Sequence, residues 1–393
     1  MILTYKKVTL KLRHPFGISR HISSERKSIL ITIKESSSEV IGYGEVTPYI
    51  YYNQTEKNAL TALNKCKSYL KYQHLPTSYL EYKKLYFEII KIITDNEQFN
   101  ISDPTNEDLL TNDNLFPMEY NHIISALDSA LLDAWAKSSN ISLINLIDKF
   151  FISNNSVLKM YSESTENKRS LPLTSFTIGL DNIDKMANKV LEAKNFKILK
   201  IKLGKSLKND QEIINKVRTL TNLPIRVDAN GGWDINTAIN MANFLENQNI
   251  EFIEQPFKRN NHHDFLKLKQ NSPLPIIIDE SLVNYSDIEK FEDRIDGINV
   301  KLSKCGGISR TIKIIEKARK HNLKVMLGCM IETSIGISNG CSISHLLDFA
   351  DLDGNLLITN DPFVGQGNFK VIDGQITIIN DKPGLNLEYK IDK

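Results

Sequence analysis

An α/β fold built on a parallel, closing sheet is what this sequence predicts, and three observations predict it. From about residue 171, short β-rich runs recur, each starting 22 to 27 residues after the last and each followed by a helical stretch. Strands that alternate with helices at that period indicate βαβ units, and eight such strands suggest a closed barrel rather than an open sheet. Residues 1 to about 46 read as strands of their own, with Val8 to Leu12 alternating apolar and polar side chains. No Gly-x-Gly-x-x-Gly follows the first parallel strand, which weakens the open doubly wound alternative.

Taken in order, residues 8–12, 28–33 and 40–45 read as strands, with Ser-rich turn chemistry before the third. Residues 55–120 lose the alternation and read as helices, interrupted by a polar, Asn-rich stretch near 94–114. Residues 124–137 carry apolar side chains at helical spacing. The parallel strands are expected at 173–178, 198–203, 225–229, 250–254, 276–279, 298–302, 324–329 and 346–351.

Composition excludes several classes of function. The 393 residues carry 49 Lys and Arg against 47 Asp and Glu, a net charge of +2. A nucleic-acid binder needs a concentrated basic surface, which this balance does not suggest. No apolar run approaches the roughly 20 residues of a membrane helix, and the N-terminus has no apolar core of a signal peptide. Cys66, Cys305, Cys329 and Cys341 are scattered and form no Cys-x-x-Cys pair, as expected of free thiols in a reducing, cytoplasmic setting.

Catalytic groups of parallel barrels sit where strands end. The second to sixth expected strands end in Lys200-Ile-Lys202, Asp228-Ala-Asn230, Glu254-Gln-Pro256, Asp279-Glu-Ser281 and Val300-Lys301-Leu302. Asp228, Glu254 and Asp279 are 26 and 25 residues apart, about one βα unit each. One such carboxylate reads equally well as a helix cap. Three on adjacent strands would repel each other unless a cation joins them, and all-oxygen ligands suit Mg²⁺. Lys202 and Lys301 then face each other across the mouth, and a lysine becomes a usable base when its pKa is lowered.

These motifs, in this order, resemble the enolase superfamily in its muconate-lactonizing-enzyme subgroup. The match runs through Lys-x-Lys at 200–202, Asp-x-Asn at 228–230, Glu-Gln-Pro at 254–256, Asp-Glu-Ser at 279–281 and Val-Lys-Leu with Gly-Gly at 300–307. The resemblance implies a modified TIM barrel, (β/α)₇β, with an α+β capping domain built from the N-terminal segment and the C-terminal tail. It implies a cap over 1–122, a barrel over 123–354 and a segment 355–393 that returns to the cap. By motif, Asp228, Glu254 and Asp279 would hold Mg²⁺, and Lys202 and Lys301 would be the acid/base pair. Lys200 would be an electrostatic helper that lowers the pKa of Lys202. Asn230, Glu280 and Glu332 would support the ligands from behind.

Asp351-Leu-Asp353-Gly, after the last strand, resembles the motif by which dipeptide epimerases bind a substrate ammonium. On composition alone it is a turn; at this position the ammonium site is favoured. The resemblance therefore implies epimerisation of a dipeptide at the α-carbon of its C-terminal residue, with L-Ala-D/L-Glu leading and a role in peptidoglycan recycling. The alternatives are an N-acylamino-acid racemase, o-succinylbenzoate synthase or muconate cycloisomerase. The side-chain pocket is expected from the loop 15–21 and the loop near 49–53, with Thr177 on its wall. The family's pocket arginine aligns with His21, with Arg20 beside it, and either residue can offer a cation to a carboxylate. The expected partner is a small dipeptide, with no nucleic acid and no membrane; homo-oligomerisation is left open.

Overall fold

The computed structural model describes residues 1–19, 22–96, 106–163, 171–365 and 367–390. Strands β1 (Ile2–Gly17), β2 (Ile22–Lys34) and β3 (Ile41–Val46) form an antiparallel sheet in that order. β1 and β2 extend well past the alternating cores read from the sequence. Each strand satisfies the other's backbone groups along the added length, through a register shift between Lys11 and Phe16. Helices α1 (Glu56–Leu70) and α2 (Tyr79–Thr94) follow. The side chains of Thr55 and Ser78 cap them by accepting the N–H groups of Asn58 and Glu81.

Helix α3 (Asn121–Ser138) is buried from Asn121 to Ala136. A helix apolar around most of its surface must be covered on several sides. The first sheet covers one of them. A Cβ at Gly44 would stand 2.0 Å from the Ala126 carbonyl oxygen, and one at Gly42 would stand 2.0 Å from that of Ala130. These two glycines let β3 lie backbone to backbone on α3. Gly44→Ala should therefore cost about 3 kcal/mol, the upper end of overpacking penalties, and lower the Tm by several degrees in a thermal melt. An unchanged Tm would mean that β3 does not sit on α3 in this way.

Two short helices, α4 (Leu143–Ile147) and α5 (Ser156–Glu163), lead to the barrel. There β4 (Phe176–Ile178), α6 (Ile183–Glu192), β5 (Leu199–Lys202), α7 (Leu207–Arg218), β6 (Ile225–Asp228), α8 (Ile235–Leu245), β7 (Ile250–Glu254) and α9 (His263–Asn271) alternate. The alternation continues with β8 (Ile276–Ile278), α10 (Asp287–Phe291), β9 (Gly297–Val300), α11 (Leu302–Cys305), α12 (Ile308–Lys320), β10 (Lys324–Gly328), α13 (Ser334–Cys341) and β11 (Phe349–Asp351). The eight strands pair in sequence order, each parallel to the next. A parallel bridge from Thr174 to Ala350 joins the first to the last, so the sheet closes. All eight expected strands are present, within three residues of their expected bounds, and the fold is a (β/α)₇β barrel.

Inside the barrel, Arg226 stands two residues before Asp228 and is 2% exposed. It donates to the Ala350 carbonyl at 2.5 Å and lies against the rings of Phe252 and Phe349. It therefore fills the space beneath the strand ends. Beyond β11 the chain returns to the first sheet: Leu12 bridges Ile358, and Thr359 donates its N–H to the Lys11 carbonyl. Among the described residues no helix is long and apolar enough to cross a membrane.

Candidate active site

The parallel register sets the site. Lys202 of β5 pairs with Asp228 of β6, and Asp228 pairs with Glu254 of β7. Asp279 follows β8 directly and Lys301 follows β9. Because the sheet curves into a barrel, these strand ends converge on one rim. Carboxylate oxygens of Asp228, Glu254 and Asp279 lie within 4.8 Å of one another. All three residues are at most 1% exposed.

Two backbone features hold this arrangement. Asn230 and Gln255 have φ of 45° and 38°, which turns the chain sharply just after Asp228 and Glu254. The Gln255 side chain then accepts the N–H groups of Asp279 and Ser281 at 2.8 and 3.1 Å and donates to the Phe257 carbonyl at 2.6 Å. The middle residue of the Glu-Gln-Pro motif thus locks the loop that carries the third carboxylate.

Four lysines balance the acids. Lys200, 1% exposed, lies 2.7 Å from Glu254, 2.9 Å from Asp351 and 3.2 Å from Asp228. Lys202 Nζ is 2.5 Å from Asp228, and Lys301 Nζ is 2.7 Å from Asp279. Strand order places β5 and β9 four strands apart in an eight-stranded barrel, so Lys202 and Lys301 stand on opposite sides. Burial disfavours the charged forms of Lys200 and Lys301, but the surrounding carboxylates outweigh it and raise both pKa values. The fourth, Lys304, was missed by the sequence reading. Its ammonium is buried and spends its three donors on the Asp279 carbonyl, the Asp279 carboxylate and the Asn299 carbonyl, at 2.6, 2.7 and 2.8 Å. Its signal was present, because Lys304 lies one helical turn after Lys301.

The acids respond in opposite directions. Burial pushes Glu254 up to about 7, with Asp228 adding to the shift. Burial acts on Asp279 in the same sense, but Lys301 and Lys304 hold it well below the usual range. A cluster of three hard oxygen donors, each paired with a lysine, fits a divalent cation by donor chemistry and by convergence.

Asp351 and Asp353 reach the same cavity. Asp351 accepts from Ser175 Oγ at 2.7 Å and Thr177 Oγ1 at 3.1 Å. Burial would raise its pKa, but Lys200 outweighs it and brings it to about 2. Asp353 accepts the Thr177 N–H at 2.6 Å. Burial, then the charge of Asp351, pushes it up to about 7. An added cation would relieve that cost. Thr177 lines the cavity and orients both acids.

The supporting residues divide. Asn230 donates its N–H to Asp228 at 2.8 Å and its side-chain amide to Glu280 at 3.4 Å, and both line the cavity. Glu332 does not line it; its carboxyl lies against Gly336, and burial and Glu45 raise its pKa. Its neighbours Met330 and Ile331 form the wall instead. Cys329 also lines the cavity, and burial and Asp353 hold its thiol protonated. From the cap come Phe16, Ile18, Tyr49 and Tyr52, as the two loops suggested. Arg20 and His21 lie outside the described residues. The half-buried Arg26 on β2 reaches the cavity and was not singled out from the sequence, because it stands in a strand beyond the loop.

Comparison with known proteins shows the family of the chain. Residues 182–393 match the family described as Enolase C-terminal domain-like. The chain is 35% identical over 391 residues to an L-Ala-D/L-Glu epimerase of Bacteroides thetaiotaomicron, covering 98% of this chain and 88% of that protein. It is 33% identical to an L-Ala-D/L-amino acid epimerase of Flavobacterium johnsoniae, covering 93% and 94%. A dipeptide epimerase of Cytophaga hutchinsonii, solved with Mg and D-Ala-L-Val, superposes with a TM-score of 0.79 at 26% identity, covering 100% and 97%. The chain belongs to the enolase superfamily, among its dipeptide epimerases.

Proposed function

We propose that this chain is a Mg²⁺-dependent dipeptide epimerase that inverts the α-carbon of the substrate's C-terminal residue. The observation that carries the reading is the pair Lys202 and Lys301, on opposite sides of a buried carboxylate triad within one cavity. Asp228, Glu254 and Asp279 would hold the ion. When bound, Mg²⁺ supplies positive charge against which a substrate carboxylate can gain electron density. One lysine takes the α-proton from one face, and the other returns a proton to the opposite face. Each needs a neutral amine in its turn as base, so the pairing seen with Asp228 and Asp279 must yield to substrate. Lys200, enclosed by three carboxylates, stays in place as a fixed charge beneath them.

Asp351 and Asp353 would take the ammonium of the dipeptide's first residue. This distinguishes the reading from acylamino-acid racemisation, where no ammonium is present. Asp353→Asn should lower kcat/KM for a free dipeptide about 100-fold, the scale of a charge-assisted pair of about 2 to 3 kcal/mol. The same change should affect an N-acetylated dipeptide far less. An equal loss on both substrates would remove the ammonium assignment.

L-Ala-D/L-Glu is the leading substrate, and Arg26 supplies a cation on the cavity wall for an acidic side chain. We place the reaction in the cytoplasm, in keeping with four unpaired cysteines, and in peptidoglycan recycling. We also propose the division into a cap over 1–122, a barrel over 123–354 and a returning segment 355–393. The deciding experiment is proton NMR in D₂O with Mg²⁺ and a panel of L,L-dipeptides that includes Ala-Glu and Ala-Ala. Deuterium should enter at the C-terminal α-carbon as the L,D epimer appears. Absence of exchange on every dipeptide would sink the reading.

A further inference from the structure

Tyr52 is not used by the chemistry above. It ends a short 3₁₀ turn, Ile50–Tyr52, that the cap presents to the cavity. Its N–H donates to the Tyr49 carbonyl at 3.0 Å. Its ring packs edge-on against Tyr49 and Tyr51, with centroids 5.6 and 5.2 Å away. Gln54 fastens the turn: it accepts the Tyr49 N–H at 3.2 Å and donates to the Met118 carbonyl at 3.0 Å. The ring therefore has one position.

Tyr52 is 1% exposed, yet its hydroxyl has no hydrogen-bond partner among the described residues. The hydroxyl is not sealed off: it opens onto the cavity that Lys202, Asp279 and Lys301 also line. Burial, with Asp279 and Glu280 next in effect, raises its pKa well above the usual value. The cap turn thus holds a hydroxyl donor on the wall of the cavity that Lys202, Asp279 and Lys301 share, with its donor capacity unspent. Neither Asp279 nor Glu280 accepts from it, so the donor is available to an acceptor that enters the cavity.

We propose that the Tyr52 hydroxyl donates a hydrogen bond to the α-carboxylate of the substrate's C-terminal residue. Tyr52 is then a catalytic residue, strengthening its hold as negative charge builds on that carboxylate. This inference rests on the epimerase reading. A donor already in place costs no reorganisation when charge develops, and removal of one such donor typically costs about 10² in kcat.

The test is Tyr52→Phe, which removes the hydroxyl and keeps the ring packing. Wild type and variant are compared with Mg²⁺ and the best dipeptide of the panel, by α-proton exchange and by epimer formation. The expected result is a fall in kcat of about 100-fold, with KM within about threefold of wild type and an unshifted Tm. Values of kcat and KM both within about twofold of wild type would overturn the assignment. A rise in KM alone would also overturn it, since the hydroxyl would then bind reactant and transition state equally. A wild-type protein that exchanges no dipeptide would overturn the epimerase reading and Tyr52 with it. Exchange in wild type and an unaffected variant would overturn Tyr52 alone.

Discussion

Lys202→Ala and Lys301→Ala are each expected to abolish net epimerisation, with kcat falling about 10³-fold or more, within the range for loss of a positioned proton-transfer group. The two lysines approach from strands four apart in the barrel, so neither can serve both faces of one carbon. Each is tied to a different end of the triad, Lys202 to Asp228 and Lys301 to Asp279. A variant with one lysine left should still exchange the α-proton of one epimer in D₂O without inverting it. The other variant should do the same for the opposite epimer. Proton NMR of both variants against both epimers checks this, and full turnover in either one would end the two-base reading.

Chelation of divalent cations should reduce turnover by a comparable factor, and added Mg²⁺ should restore it. Glu254→Gln should not be restored. The chain should remain folded without the ion, because Lys200, Lys202, Lys301 and Lys304 already neutralise the three carboxylates. Binding to the folded state alone adds stability, so Mg²⁺ should raise the wild-type Tm in a concentration-dependent way. The Glu254→Gln protein, with one ligand charge removed, should show a much smaller rise. A wild-type Tm and activity indifferent to both chelator and Mg²⁺ would remove the cation from the account.

Much of this was legible in the sequence. The barrel strands were, because a buried parallel strand must be a short apolar run with a helix after it, and the chain repeats that unit eight times. The triad and Lys202 were, because strand ends in such a fold share one rim whatever the loops do. Asp351 and Asp353 were legible only by resemblance, since as a local pattern they are a turn. Lys304 was obscured because it lies in the short helix after β9, where a lysine ordinarily meets water. Glu332, expected behind the ligands, lies off the cavity wall against Gly336, and the charges of Glu45 and Lys301 act on it.

By itself the sequence determined which residues end each parallel strand, and hence the acids and bases at the rim. Those follow from periodicities of a few residues and from spacings of one βα unit. Tertiary structure decided which side chains of the cap reach the cavity's other wall, where resemblance had pointed only to two loops. Arg26 and Tyr52 come from the cap, 151 and 125 residues before Thr177 in the sequence. The glycines of β3 set how closely that sheet lies on α3, and Gln54 sets where Tyr52 points. No local pattern encodes such placements, because they depend on how two separately built layers meet, and side chains at that junction take their partners from whatever the packing brings within reach.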